Sequence, residues 1–217
     1  MLGHPVLRTP NMDQLANDGV LFLNHYAQAT PCAPSRSSIH TGMYLHNHRC
    51  VKNGTPLEQR FTNWAQECRK YGYKPSLFGY TDSARDPRYL DSTDPRLMHY
   101  SEPLAGIDSH SNYEFDVPRE WVRDLDRKGY SIPERLFDLY ETKKTGVEWE
   151  EGGPVPLPLN LSKEDHESYF MVDQCMNWVA EQEAGWMPHL SLLRPHPPFV
   201  APEPYNQMYM PRCIAIH

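Results

Sequence analysis

Short apolar runs that alternate with helical patterns constrain the fold of this 217-residue chain more than any other feature. The apolar runs are Val20 to Leu23, Pro75 to Tyr80 and His189 to Leu193. Runs of this length, bounded by polar or proline-rich loops, are typical of buried strands. Residues 11–17 and 61–71 carry helical signals before the first two runs. The sequence therefore predicts an α/β fold, with a mainly parallel sheet sandwiched by helices.

Helix boundaries are predicted from capping residues. Gly19 is expected to end the first helix in the left-handed conformation, and Gly42 to end a helix that begins near Pro34. Ser162 is expected to cap a long helix. The predicted apolar stripe of that helix consists of Tyr169, Val172, Cys175, Met176 and Val179.

The middle of the chain is predicted to be mostly loop. Residues 82–117 and 152–158 lack periodicity, while 118–128 and 132–140 have the pattern of short helices. The length suits one domain, so we expect residues 1–217 to form it, with a long irregular insertion at about 82–160.

Charge and cysteine content exclude several classes of function. The chain has 21 basic and 28 acidic residues and a net charge of −7, which opposes nucleic-acid binding. No apolar run approaches the roughly 20 residues of a membrane helix. Five cysteines without a C-x-x-C pair favour a reducing compartment. We therefore expect a cytoplasmic location, with export still open if the true N-terminus lies upstream.

The segment from Cys32 to Gly42 carries the clearest chemical signal. Cys32 lies at a predicted helix N-terminus, where the helix dipole and the Arg36 guanidinium would favour a thiolate. The string Cys32-Ala33-Pro34-Ser35-Arg36, followed by Thr41-Gly42, closely resembles the sulfatase signature C-x-P-S-R-x-x-x-x-T-G. A lone cysteine at a helix start is more often structural, but this motif favours a functional one.

The resemblance to sulfatases implies a specific nucleophile. In that family a formylglycine-generating enzyme oxidises the cysteine to formylglycine, here at Cys32. One hydroxyl of the hydrated aldehyde attacks sulfur or phosphorus, and the other later expels the bound acid. The implied function is metal-assisted hydrolysis of small anionic sulfate, phosphonate or phosphate esters.

Further strings extend the resemblance over nearly the whole chain. TPNMDQLANDGVLF resembles an early helix-strand unit of sulfatases, and RPHPPF resembles their later His-x-Pro segment. On this resemblance Arg36 stabilises the nucleophile, and His196 contacts the ester and protonates the leaving group. One divalent cation, Ca²⁺ or Mn²⁺, is implied, with Cys32 as formylglycine among its ligands.

The region after the second apolar run differs from most sulfatases. Where these have Gly-Lys-Trp-His, this chain has Tyr80 in place of the lysine and Asp82 in place of the histidine. The tyrosine resembles the phosphonate monoester hydrolase branch, which implies Asn53, Tyr80 and Thr81 as substrate-binding residues. Asp82 would repel an anionic ester, or accept a hydrogen bond from a cationic or hydroxylated substrate group.

The other aspartates that hold the sulfatase metal are not found in this sequence. We therefore expect a partial sulfatase catalytic domain, incomplete at both ends and with little or no turnover on its own. The alternative function is a truncated, inactive sulfatase-like domain that binds anions or a partner. Assembly into a homo-oligomer is compatible with the resemblance.

The spacing of the cysteine, arginine and histidine residues does not match two other kinds of site. A cysteine phosphatase would need an arginine six positions after Cys32, where Ser38 stands. A zinc site would need a recognisable ligand framework, which His40, His46, His48 and Cys50 do not provide.

Overall fold

The computed structural model describes residues 3–98, 102–111, 113–114, 117–143 and 157–209, where four helices precede four strands and two further helices precede a last strand. The α-helices there are α1 (Pro10–Asp18), α2 (Cys32–Thr41), α3 (Leu45–His48), α4 (Trp64–Lys70), α5 (Arg119–Arg127) and α6 (Glu167–Ala180). The strands are β1 (Lys74–Gly79), β2 (Asp108–Ser109), β3 (Tyr113–Glu114), β4 (Val117–Pro118) and β5 (Trp186–Ser191). Short 3₁₀ helices span Pro87–Tyr89, Pro95–Met98, Leu136–Tyr140 and Tyr205–Gln207.

A parallel sheet of order β2-β1-β5 organises the described residues, while β3 and β4 form a separate antiparallel pair. β1 pairs with β5 from Lys74 opposite Trp186 to Gly79 opposite Ser191. Gly79 has φ +118°, and a Cβ built on it would lie 1.9 Å from the Ser191 carbonyl oxygen. Only glycine permits this approach, so it brings the carboxyl ends of β1 and β5 together.

The two faces of β1 are covered by different helices. Leu77 belongs to an apolar cluster with Ala65 of α4. The ring of the next residue, Phe78, lies 5.7 Å from the ring of Trp178 on α6. Successive strand side chains point to opposite faces, so α4 and α6 cover opposite sides. The prediction of a parallel sheet sandwiched by helices is confirmed.

A second apolar core lies in the middle of the chain. The predicted helices at 118–128 and 132–140 correspond to α5 and to the 3₁₀ helix Leu136–Tyr140. Trp121 of α5 is fully buried, and its Nε1 donates to the Asp165 carbonyl oxygen at 2.7 Å. Residues 144–156, which include most of the predicted loop at 152–158, lie outside the described residues. The buried members of this core are Val117, Trp121, Leu125, Leu139, Tyr140, Leu159 and Leu161.

The strand predicted at Val20 to Leu23 is wrong. These residues are not in a strand, and Val20, Phe22 and Leu23 are 79, 74 and 70 % exposed. An apolar run becomes a strand only where a partner supplies backbone hydrogen bonds, and the described residues provide none here. Helix α1 matches its predicted position, but Gly19 ends it with φ −134° rather than in the left-handed region.

Helix α6 begins later than predicted. His166, not Ser162, is its cap, with Nδ1 accepting from the Ser168 N–H at 3.2 Å. The Ser162 hydroxyl instead accepts from the Asp165 N–H, so it forms a turn before the helix. The predicted stripe is also partly wrong, because Tyr169, Val172 and Met176 are 48, 39 and 62 % exposed. The buried side chains of α6 are Glu167, Met171 and Cys175.

Two general features follow from the described residues. None of their helices is both long and apolar enough to cross a bilayer. Cys32, Cys50, Cys68 and Cys175 are all free thiols. Cys213 lies outside the described residues.

Buried His40 connects α2 to the sheet. Its Nδ1 accepts from Trp64 Nε1 at 3.2 Å, so its Nε2 donates to the Thr81 carbonyl oxygen at 3.3 Å. Burial, together with the charges of His189 and Arg36, lowers its pKa from 6.5 to about 4 despite the Thr81 hydrogen bond. The unfolded chain therefore binds a proton between these pH values that the folded chain excludes.

We expect His40→Gln to weaken the pH dependence of stability. Its contribution in the wild type is fully present above pH 6.5 and is lost as pH falls towards 4. From about 1.4 kcal/mol per pKa unit, the loss is about 3 kcal/mol at the acidic end. Urea unfolding at a series of pH values measures it, with exposed His25→Gln as the control. Equal pH slopes for wild type and His40→Gln would contradict this account.

Candidate active site

A cavity of about 290 Å³ lies where the chain leaves β1 and β5. In open parallel sheets, ligands bind beyond the carboxyl ends of the strands. Four of the predicted site residues meet there: Cys32, Asn53, Tyr80 and His196. The residues that line it are Cys32, Asn53, Gly54, Tyr80, Asp82, Leu193 and His196.

Cys32 is the first residue of α2, and its side chain is exposed to the cavity mouth. Pro31 provides no side-chain cap for this helix. Asn53 does so from a distant loop, since its Oδ1 accepts from the Ala33 N–H at 3.0 Å. Gly42, at φ +69°, ends α2 as predicted. Asn53 therefore fixes the helix end that presents Cys32.

Arg36 lies one turn after Cys32 and joins α2 to both strand ends. Its Nη2 donates to the Tyr80 hydroxyl at 3.0 Å, and its Nη1 donates to Ser191 Oγ at 2.9 Å. The guanidinium carbon is 4.3 Å from the centre of the Tyr80 ring, a cation–π contact. Arg36 does not itself line the cavity, so it acts on the site through Tyr80.

Tyr80 presents a protonated hydroxyl. Burial raises its pKa, the Arg36 charge opposes this rise, and Asp82 and Cys32 add to it. The phenol therefore stays neutral at pH 7. Because its oxygen accepts from Arg36, its own O–H is left to donate to an anion in the cavity.

His196 enters the cavity from the loop after β5. Its Nδ1 is 2.9 Å from the Pro197 carbonyl oxygen, which can only accept, so Nδ1 carries the proton. The Nε2 atom is therefore the one available for proton transfer. The His196 N–H donates to the Leu193 carbonyl oxygen at 3.1 Å.

Of the neighbours Thr81 and Asp82, only Asp82 reaches the cavity, although Thr81 was the expected substrate-binding residue. Thr81 is fully buried and does not line the cavity, because its hydroxyl donates to the Glu102 carbonyl oxygen at 2.8 Å. Asp82 does line it, at 5 % exposure and with a φ of +53°. Non-glycine residues in this strained region concentrate at functional sites.

The sequence patterns do not mark Ser191, Leu193 or Gly54 as site residues. Ser191 and Leu193 belong to the third apolar run, so their position at the carboxyl end of a predicted strand was the available signal. Gly54 follows Asn53 in a turn, and no chemical signal marks it. Each becomes relevant only through the pairing of β1 with β5 or the packing of the Asn53 loop.

The histidines and cysteine considered for zinc have other contacts. His48 Nε2 is 2.9 Å from Ser38 Oγ, and its Nδ1 accepts from the Cys50 N–H at 3.1 Å. His40 contacts Trp64 and Thr81. Among the described residues, no three His, Cys, Asp or Glu side chains are grouped to hold a metal ion.

A divalent cation does not fit the described cavity residues alone. Ca²⁺ and Mg²⁺ take about six or more oxygen ligands, whereas Asp82 supplies the only carboxylate that lines this part of the described structure. We therefore assign no chemical step to a metal.

Two further cavities lack the predicted nucleophile. One, of about 290 Å³, lies between residues 57–66, 83–86 and 102–105. The other, of about 450 Å³, is mainly apolar and contains Tyr169, Arg194 and Phe199. Neither is lined by Cys32, so the chemistry favours the cavity between Cys32 and His196.

Two solved structures of similar architecture are phosphonate monoester hydrolases. The enzyme of Agrobacterium radiobacter superposes with a TM-score of 0.86 and 40 % identity, over 97 % of this chain and 41 % of that chain. The enzyme SpPMH of Silicibacter pomeroyi gives 0.87 and 38 %, with the same coverage. The present chain thus spans about two fifths of either structure.

Sequence comparisons identify the family of the chain. The multifunctional alkaline phosphatase superfamily protein PehA of Trinickia caryophylli is 36 % identical over 208 residues, 94 % of this chain and 39 % of that protein. An arylsulfatase of Clostridium perfringens is 24 % identical over 214 residues, 95 % of this chain and 42 % of that protein. The sequence model of the family described as Sulfatase matches residues 1–212. The chain therefore belongs to the sulfatase family.

Proposed function

We propose that this chain contributes the nucleophile side of an active site that hydrolyses sulfate esters or phosphonate and phosphate esters. The observation that carries the proposal is the single cavity shared by Cys32, Tyr80 and His196. It offers a candidate nucleophile, a neutral hydrogen-bond donor and a proton carrier around one small volume. Such a constellation suits attack on an anionic ester centre.

Cys32 is the residue that a formylglycine-generating enzyme would modify. Its exposed thiol lies at the start of α2, where the modifying enzyme can reach it. Formylglycine, once formed and hydrated, supplies one hydroxyl that attacks the ester and a second that allows the acid to be expelled. Sulfatases generally combine this modification with a divalent metal, and we propose Ca²⁺ or Mn²⁺, most of whose ligands would come from outside the described cavity residues.

The neighbouring residues bind the ester and move its proton. The Tyr80 O–H donates to a non-bridging oxygen of the ester, while Arg36 holds the ring. His196 takes up a proton from water at Nε2 and passes it to the departing alkoxide, while the Nδ1 proton stays bound to the Pro197 carbonyl oxygen. Asn53 keeps the helix end and residue 32 in register with the ester.

Tyr80 favours phosphonate or phosphate esters over simple sulfates as substrates. Most sulfatases have a lysine at this position, according to the motif that the chain resembles. A neutral phenol gives less charge compensation than a lysine, so it relies on Arg36 behind it. Two solved structures of similar architecture are phosphonate monoester hydrolases, which supports such esters as substrates. We further propose that hydrolysis takes place in the cytoplasm.

Substitutions of Cys32 and His196 test the proposed function. In a protein that joins this chain to the aspartates that hold the sulfatase metal, co-expressed with a formylglycine-generating enzyme, we expect Cys32→Ala to abolish hydrolysis of aryl sulfates, aryl phosphonate monoesters and phosphate diesters. His196→Asn should lower kcat by about 10²- to 10⁴-fold for poor leaving groups and much less for good ones. Steady-state kinetics over a leaving-group series measures both effects.

Cys68→Ala is the matched control, because Cys68 is a free thiol outside the cavity. It should retain wild-type rates. Turnover that survives Cys32→Ala would contradict the proposed nucleophile. A wild type that carries the modified residue, binds the anions and hydrolyses none of these esters would favour the alternative of an anion-binding domain without turnover.

Asp82→Asn tests the electrostatics of the cavity. The buried carboxylate repels an anion bound between Cys32 and Tyr80. Removing its charge should tighten binding of phenylphosphonate by about 10-fold, since like charges several ångströms apart at reduced dielectric cost at least 1 kcal/mol. Isothermal titration calorimetry measures the dissociation constants.

Two comparisons make this experiment specific. Exposed Asp18→Asn should leave the affinity unchanged. The gain from Asp82→Asn should shrink in high salt less than a surface effect would, because the carboxylate is buried. Weaker phenylphosphonate binding by Asp82→Asn would show that Asp82 helps to hold the anion, against the assigned repulsion.

A further inference from the structure

Arg194 holds the loop that carries His196. Its Nη1 donates to the His196 carbonyl oxygen at 2.6 Å and to the Pro197 carbonyl oxygen at 2.9 Å. Pro195, Pro197 and Pro198 have no N–H group, so this loop has few backbone donors of its own. The arginine side chain therefore supplies the hydrogen bonds that the prolines cannot.

The Arg194 side chain is itself held in a buried setting. It is 9 % exposed, and the Glu167 side chain is 2 % exposed. Arg194 Nε lies 3.6 Å from Glu167 Oε1, an ion pair that is longer than a hydrogen bond. The guanidinium carbon lies 4.0 Å from the centre of the Tyr140 ring, and the Tyr140 hydroxyl donates to Glu167 Oε2. We call these three residues the Arg194 cluster.

Two titratable groups beside Arg194 are neutral at pH 7. Burial and the Glu167 charge raise the Tyr140 pKa, so its hydroxyl stays protonated and can donate. Burial and the Arg194 charge lower the pKa of adjacent His166 to about 4, so His166 is neutral at pH 7. Of Glu167, Tyr140 and His166, Glu167 is the group that forms an ion pair with Arg194.

We propose that Glu167 and Tyr140 are positioning residues, which hold His196 in the cavity by fixing Arg194. A buried ion pair is a weak source of stability, because desolvation offsets most of its attraction. This ion pair nevertheless has a specific geometric consequence. Through Arg194 it connects α6 and the Leu136–Tyr140 helix to the carbonyl oxygens of His196 and Pro197, in the loop after β5. The role of His196 in proton transfer rests on the proposed function, whereas its placement by the cluster does not.

Ring NMR of His196 tests the placement without requiring turnover. In ¹⁵N-histidine-labelled protein, we expect long-range ¹H–¹⁵N spectra to show one His196 ring signal with Nδ1 as the protonated nitrogen, as the bond to Pro197 requires, assigned by its loss in His196→Asn. Arg194→Lys keeps the charge but loses the planar fork, and Glu167→Gln keeps the shape but loses the charge. Both variants should lose this signal or split it into several.

Arg135→Lys is the matched control, since Arg135 forms an exposed ion pair with Asp138. It should leave the His196 signal unchanged. Tyr140→Phe retains the ring and both charges, so it provides a milder variant if Glu167→Gln does not fold. We expect it to shift and weaken the signal. Unchanged His196 signals in folded Arg194→Lys, Glu167→Gln or Tyr140→Phe would overturn the proposal.

Kinetics separates this proposal from the proposed function. Misplacement of an acid by about 1 Å can cost 100-fold, so Arg194→Lys should lower kcat for poor leaving groups by up to about that factor, with KM little changed. Absence of turnover in the wild type would count against the proposed function alone, because the NMR comparison still decides the positioning role. An equal loss for good and poor leaving groups would contradict an effect through His196.

Discussion

The site depends on the hydrogen bonds that the Arg36 guanidinium donates. This guanidinium joins the helix that begins at Cys32 to the ends of two parallel strands, through Tyr80 and Ser191. Gly79 makes this geometry available by letting β1 approach the Ser191 carbonyl closely. A single delocalised cation thus sets the distance between the candidate nucleophile and the sheet. Its fork of donors explains why lysine would not serve equally well.

A second arginine does for the histidine side of the cavity what Arg36 does for the cysteine side. Arg194 is buried against Glu167, and its Nη1 donates to two carbonyl oxygens of the His196 loop. Both arginines act on the cavity through another residue. Asp82 differs from them, because its carboxyl group lines the cavity directly.

The sequence alone predicts the elements whose signals are local. Helix α2, the strand around Phe78 and the meeting of Cys32 with His196 follow from capping glycines, apolar runs and motif strings. The strand expected at Val20 to Leu23 was wrong because strand formation needs a partner, which a local pattern does not reveal. Neither the cap from Asn53 nor the burial of the Thr81 side chain could be predicted, since both depend on contacts between distant segments.

The proposed ester hydrolysis depends on the chemical state of residue 32. Peptide mass spectrometry of the chain, purified after co-expression with a formylglycine-generating enzyme, measures that state. We expect the peptide containing Cys32 to lose its sulfur and to gain an aldehyde that a hydrazide probe captures. A preparation that hydrolyses the esters while residue 32 remains an unmodified thiol throughout would contradict this expectation.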